Sequence, residues 1–388
     1  MTITEKFFVE CVKCGIKSEK IKIVPSGLDY NQLYKLCVAH SMSVIVVTAL
    51  SEVFDKLYAR FVDVLKKLAE RQVKKDVQSE YDLNLVLKSF EQNGINYMPL
   101  KGYYLKKLYP NTAMRYASDW DLLIDVKQIK AIRKIMQNLC MEVKRFDEHH
   151  DIFYNPTTKT VFELHKTLFV GKLKNYFKTG FERAEVAENK ECFYELSKED
   201  FYISILAHSA YHFTEDAGVG IRYLADIYLY RKTYNLNEDY LDKELAKCDL
   251  KKFKEEFEKV SSYLFDGADA NDFTKTLAKH ILQSSILQYS DMKLASEVAS
   301  NKGQVGDKKA RKKTFWRKIF LTKEQMQFLF PVLKKIGWLM PLFHVVRWVK
   351  VMFTRPKALG QLKGYKQVEL EKVDHMDGIR KGLGIENF

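Results

Sequence analysis

Between Gly27 and Gly94 the chain contains neither glycine nor proline. Through that run apolar residues recur at helical spacing, as at Leu33, Leu36 and Cys37 and again at Leu83, Leu85, Leu87 and Phe90. A stretch of this kind reads as several consecutive helices. Asp29 is placed to cap the first of them, and Asn93-Gly94 to stop the last. The pattern then changes. Residues 95–100 are short and apolar, and 119–125 alternate as Asp-Trp-Asp-Leu-Leu-Ile-Asp. With 143–146, 152–154 and 160–165 they read as strands, and 156–159 as a hairpin turn. Residues 102–109 fit a short helix ended by Pro110, and 127–139 a longer one. Helical spacing resumes after Gly171 and persists to about residue 298. The expected fold class is α+β: a small mixed sheet flanked by N- and C-terminal helical regions. The expected segments are 1–94 (helical), 95–170 (α/β core), 171–300 (helical, closing over the core) and 301–388.

The last segment carries the charge. The net charge is +14, and residues 302–363 hold sixteen Lys and Arg against Asp307 and Glu324, leaving the remainder neutral. An argument about polyanions therefore concerns that segment alone. Residues 301–313 read as a basic linker and 360–388 as a loosely ordered polar tail. Residues 314–353 are apolar, aromatic and basic, with three of the four tryptophans. Interruptions by Pro341, His344, Arg347 and Lys350 argue against a membrane-spanning helix. An interfacial helix or an RNA contact suits the composition, but the favoured reading of the apolar part is that it covers the core, with the role of the basic linker left open. The six cysteines form no disulfide framework, and no cleavable leader is evident, so a reducing, cytoplasmic setting is expected, with peripheral attachment at the inner membrane face as an option. Cys11 and Cys14 make a lone C-x2-C pair, better read as the buried face of a helix than as a zinc site.

Asp119 and Asp121 lie two apart on an expected strand, so their side chains leave one face, with Cα atoms about 6.6 Å apart. At that range two carboxylates repel by roughly 3 kcal/mol at an effective dielectric near 20. A cation relieves that repulsion, and magnesium favours carboxylate and phosphate oxygens. Glu163, in Val-Phe-Glu-Leu-His, also alternates with apolar neighbours. If its strand pairs beside the first, it becomes the third member of a set suited to nucleotidyl transfer. The competing reading is an exposed acidic strand face.

The order of signals narrows the choice. Pro99-Leu100-Lys101-Gly102 ends a strand, Arg115 follows in a loop, then come Ser118-Asp119-Trp120-Asp121-Leu122-Leu123 and later Phe162-Glu163-Leu164-His165. This order resembles the DNA-polymerase-beta-like nucleotidyltransferase superfamily, and more closely its uncharacterised nucleotidyltransferase family. Residues 83–94, Arg222-Tyr223-Leu224-Ala225-Asp226 and the apolar segment near 338–347 fit that resemblance too. It implies that Asp119, Asp121 and Glu163 are catalytic and hold Mg²⁺ or Mn²⁺, and that Lys101 and Gly102 form the turn meeting the triphosphate. Ser118, Arg115 and His165 complete the implied nucleotide-binding set. The wider superfamily places Gly or Ser after the glycine, and Tyr103 stands here instead. Arg115 otherwise reads as a surface ion pair, and His165 as a structural histidine. His208 and His212, four apart, favour packing or substrate contact over zinc, and Arg222 with Asp226 reads either as an intrahelical ion pair or as part of a helical back closing over the nucleotide.

The expected activity is transfer of a nucleoside monophosphate from an NTP to a hydroxyl acceptor with release of pyrophosphate. The resemblance points to bacterial cell-surface glycan settings for the acceptor. A non-catalytic nucleotide-binding or scaffold module, and a tRNA-modifying toxin, are the alternatives. An anionic membrane surface or RNA is the candidate partner of 302–363.

Overall fold

The computed structural model describes residues 1–117, 119–169, 171–284, 289–301, 307–354, 364 and 368–386. They divide into two compact units, Met1–Ala210 with Val219–Ile286, and Tyr211–Gly218 with Leu287–Phe388.

The first unit opens with helices α1 (Ile3–Ile16), α2 (Tyr30–Ala39), α3 (Ser43–Ala49) and the long α4 (Ala59–Gln92). Asp29 caps α2 by accepting from the Asn31 and Gln32 amides. Gly94, at φ +64°, ends α4 in the left-handed conformation that a side chain disfavours. Cys11 and Cys14 are buried on α1.

The sheet follows. Strand β1 (Tyr97–Pro99) leads through one helical turn, α5 (Gly102–Leu105), to β2 (Asp119–Ile124). Then come α6 (Ile129–Asn138), β3 (Glu142–Phe146), β4 (His150–Tyr154) and β5 (Val161–His165). Their order is β1-β2-β5-β4-β3, mixed because β2 and β5 run parallel while the other neighbours are antiparallel. Alternation assigns the two faces. Trp120, Leu122, Ile124, Phe153, Phe162 and Leu164 form a core with Leu83, Val86 and Phe90 of α4 and Ile132 and Met136 of α6. Each such large apolar side chain contributes about 1.5–3 kcal/mol on burial. The Trp120 indole N–H donates to the Ser79 carbonyl at 2.9 Å, so the core needs no unsatisfied polar atom there. The acids are thereby left on the opposite face.

Within the expected helical back, β6 (Ala184–Val186) and β7 (Tyr194–Leu196) form a small hairpin after α7 (Lys172–Phe177). Three-residue strands are too short to show a period. Helices α8 (Lys198–Asp216), α9 (Ile221–Thr233), α10 (Glu238–Lys247), α11 (Lys251–Phe265) and α12 (Asp272–Ser284) follow.

His40, at the end of α2, bridges three of these elements. Its Nε2–H donates to the Leu282 carbonyl at 3.0 Å, and its Nδ1 accepts the Ile221 amide at 3.3 Å. Both contacts require the neutral ring. Burial, with help from nearby Arg222, lowers its pKa from 6.5 to about 4. The unfolded chain therefore takes up a proton below pH 6.5 that the folded chain refuses. Stability is full above pH 6.5 and falls as pH drops toward 4, by up to about 3 kcal/mol from this group. Denaturant titrations at neutral and mildly acid pH should show that slope, and His40→Gln should flatten it. An unchanged slope in the variant assigns the acid sensitivity elsewhere.

The second unit contains α13 (Tyr289–Ala299), α14 (Asp307–Ile319), α15 (Lys323–Leu329), α16 (Met340–Thr354) and α17 (Leu370–Leu383). Where a linker was expected, residues 307–313 begin α14. Lys, Arg and Ala are good helix formers, and Ala310 and Thr314 are buried on one face. The Asn301 amide donates to Thr314 Oγ1 at 2.9 Å, Arg317 to Asn301 at 3.0 Å, and Lys318 pairs with Glu297 at 3.0 Å. Residues 302–306 lie outside the described residues. The expected loose tail instead carries α17, with Val373, Met376, Ile379 and Leu383 buried against α13 at helical spacing. Among the described residues no helix is long and apolar enough to cross a membrane.

Candidate active site

Parallel pairing of β2 with β5 sets Asp121 directly opposite Glu163, and Leu123 opposite His165. Asp119 lies one rung earlier on the same face, opposite Val161. The condition on which the sequence argument depended, that the Glu163 strand neighbour the Asp-x-Asp strand, is met. One potential ligand atom from each of Asp121, Glu163 and His165 lies within 4.8 Å of the others, a grouping able to hold a metal ion. Asp119 is half-buried on that face but is not part of the group.

Both oxygens of Asp121 are engaged. His165 Nε2 lies 2.7 Å from Oδ1, and Lys101 Nζ lies 2.8 Å from Oδ2. Burial works against the charge of Asp121, but Lys101 and His165 outweigh it and hold the carboxyl well below the usual range. Glu163 moves the other way: burial first, then the neighbouring Asp121 and Asp119, push its pKa up. Its carboxylate is 3.9 Å from His165, too far for a hydrogen bond. The face thus gathers three carboxylates, with Lys101 and His165 closest to Asp121.

Lys101 sits on the turn between β1 and α5 with φ +26° and ψ −91°, a strained conformation for a residue with a side chain. The turn aims its ammonium at Asp121 and at His208 Nε2, 3.1 Å away. An ammonium only donates, so His208 accepts on Nε2 and carries its own proton on Nδ1. The contact between Lys101 and His208 carries no separation-based signal in the sequence; only the fold brings α8 there. Gly102 follows, where a Cβ would stand 3.5 Å from both Ala117 and Arg115, ordinary contact distance. The strain therefore falls on Lys101. Tyr103 turns its ring toward Tyr104 and Phe193. Ser118 lies outside the described residues.

Arg115, expected near the phosphates, is buried and paired with Asp226 of α9. Its Nη2 is 2.8 Å from Oδ2 and its Nε 3.0 Å from Oδ1. The Tyr109 hydroxyl donates to Oδ1 as well, at 2.8 Å. Arg222 is not an intrahelical partner of Asp226; it donates to the Tyr116 carbonyl at 2.9 Å. Both α9 residues thus clamp the loop that delivers β2. From the other side, buried Asp76 of α4 takes the Lys106 ammonium at 3.0 Å, and the Ala117 amide bonds to it. The loop entering the candidate site is thus held by two helices.

A mixed sheet presenting paired carboxylates on adjacent parallel strands after a Lys-Gly turn suits a nucleotidyltransferase, and the comparison with known families agrees. A family model described as uncharacterised nucleotidyltransferase matches residues 26–266, and the chain belongs to that family. The match contains β1 to β5, α8 and α9; the segment near 338–347, counted in the resemblance above, lies beyond it. No curated protein and no solved structure matches the chain.

Proposed function

We propose that the protein transfers a nucleoside monophosphate from an NTP to a hydroxyl acceptor, releasing pyrophosphate, with Mg²⁺ or Mn²⁺ held by Asp121 and Glu163 and approached by Asp119. The observation that carries this reading is the register match of Asp121 with Glu163. The donor chemistry fits, since hard carboxylate oxygens suit magnesium. The pKa of Glu163 is raised by burial first and then by the neighbouring Asp121 and Asp119, and a divalent cation would favour its charged form. When bound, the metal would supply positive charge to the triphosphate and acidify the acceptor hydroxyl. His165 acts as a positioning residue, fixing the Asp121 carboxylate through Oδ1. Lys101 pairs with Asp121, and its flexible stem would let the ammonium reach a phosphate. The helical region after the sheet contributes His208 to the same cluster.

This assignment gives Lys101 two opposed effects. In Lys101→Ala, a competing cation is gone, so Mn²⁺ alone should bind more tightly. A phosphate partner is also gone, so NTP in the presence of metal should bind more weakly, by about tenfold or more. Calorimetry with Mn²⁺, then with NTP, measures both. Unchanged affinity in both titrations removes Lys101 from the nucleotide site, and absence of metal binding by the parent protein even with NTP overturns the metal assignment. Added metal should likewise raise the melting temperature, and more so with NTP.

A further inference from the structure

Helix α16 is divided lengthwise. On one side Phe343 packs its ring on Phe330 at 5.0 Å, and His344 meets Phe320. From the same side Arg347 and the Trp348 indole both donate to the Ile319 carbonyl at 3.0 Å. On the other side Leu342, Val345, Val346, Val349, Met352 and Phe353 are all exposed. Their spacing of three, four, seven, ten and eleven residues from the first makes one continuous stripe. Trp338, in the turn just before, is 79% exposed, Val345 60% and Phe353 83%. A contiguous apolar surface of this kind marks an interaction site.

Charge selects the occupant. Lys334, Lys335 and Lys350 are exposed, the last on α16 itself and the other two shortly before it in the chain, and the sequence has no acid from Gln325 to Lys363. A partner must therefore offer an apolar phase edged with negative charge. Anionic lipid does so: acyl chains receive the stripe and headgroups receive the lysines. Nucleic acid fits less well, because a row of valines gives bases nothing to stack on. Part of the basic run before α16 is used internally: Arg311 donates to the Val368 carbonyl, Arg317 to Asn301, and Lys318 pairs with Glu297.

We propose that α16 and the Trp338 turn dock the protein on an anionic membrane surface, with the helix lying in the plane of the interface. This goes beyond nucleotidyl transfer and stands independently of it. The test is flotation of the full chain with vesicles of equal parts phosphatidylglycerol and phosphatidylcholine, against phosphatidylcholine alone and against RNA. The parent protein should float with the anionic vesicles and weakly or not at all with neutral ones. The triple variant W338S/V345S/F353S should lose about a hundredfold in affinity while keeping its melting temperature and NTP binding, since all three side chains are exposed. The variant K334Q/K335Q/K350Q should lose a similar factor, a loss that high salt imposes on the parent as well. Failure of the parent to float, or unchanged flotation of the apolar variant, overturns the proposal. So does retention on RNA without flotation. A parent that ignores vesicles and is a dimer which the apolar variant dissociates would assign the stripe to a second copy of this chain.

Discussion

Asp121→Asn should lower nucleotidyl transfer by about 10²–10³-fold while leaving the protein folded. The amide keeps the shape of the carboxylate and still accepts from His165, so the sheet register is not at risk. It removes the charge opposite Glu163 and turns an N–H donor toward Lys101, which itself only donates. A loss of that size corresponds to one preorganised electrostatic contact in a transition state that develops charge on phosphate oxygens. The fall should appear in kcat more than in KM, because the contact matters most where charge develops. Glu163→Gln should lose activity as well, yet in metal-free buffer it should melt no lower than the parent, because the burial and neighbouring charges that raise the Glu163 pKa disfavour its charged form. Activity retained in Asp121→Asn would remove the carboxylate pair from the chemistry.

The largest stability effect is expected at Asp226. Asp226→Ala leaves the buried Arg115 guanidinium without its counter-charge and the Tyr109 hydroxyl without its acceptor. Breaking one side of a buried pair costs about 3–5 kcal/mol. That is a large share of a domain's net stability of about 5–15 kcal/mol. The double change Arg115→Met/Asp226→Leu removes both charges and should recover most of the loss, as replaced buried pairs commonly do. Urea titration of the parent, both single variants and the double variant measures the coupling. If Asp226→Ala costs less than about 1 kcal/mol, Arg115 is not clamped as described and is free to serve as a phosphate ligand.

These two positions show what was legible in the sequence. The strand Asp119–Ile124 could be read because period-two alternation is local: Trp120 goes to the core and Asp119 and Asp121 leave it. Glu163 and His165 could be read the same way, since each alternates with a buried neighbour. That β5 lies beside β2, with Asp121 level with Glu163, depends on how β3 and β4 return the chain, which no spacing encodes. The partners of Arg115 and Lys101 were hidden for the same reason. Arg115 pairs with a residue 111 positions away, and Lys101 with one 107 positions away, through the packing of α9 and α8. A loop arginine near acids looks like a phosphate ligand until a buried carboxylate claims it.

Elsewhere, composition misled. The run 307–313 reads as a linker because it is polar, yet its lysines and arginines favour helix, and Ala310 with Thr314 was the available sign. Residues 370–383 carried Val373, Met376, Ile379 and Leu383 at helical spacing within a polar tail. Asp151, which follows two histidines in a polar stretch, is fully buried in β4 between Arg133 at 2.7 Å and Lys166 at 2.6 Å. Charge alone does not mark the surface when two cations stand ready to pair.

The position of a label tests most directly whether the protein transfers a nucleoside monophosphate. Parallel reactions would contain each NTP labelled at the α or the γ phosphate, Mg²⁺ and fractionated cell lysate as the source of acceptor. The α label should stay on an acceptor and the γ label should leave as pyrophosphate, both about 10²–10³-fold more slowly with Asp121→Asn. Transfer of γ label to the acceptor would make the protein a phosphoryl-transfer enzyme. Bound NTP with neither label transferred in any fraction would leave a nucleotide-binding module, and either result would contradict the account.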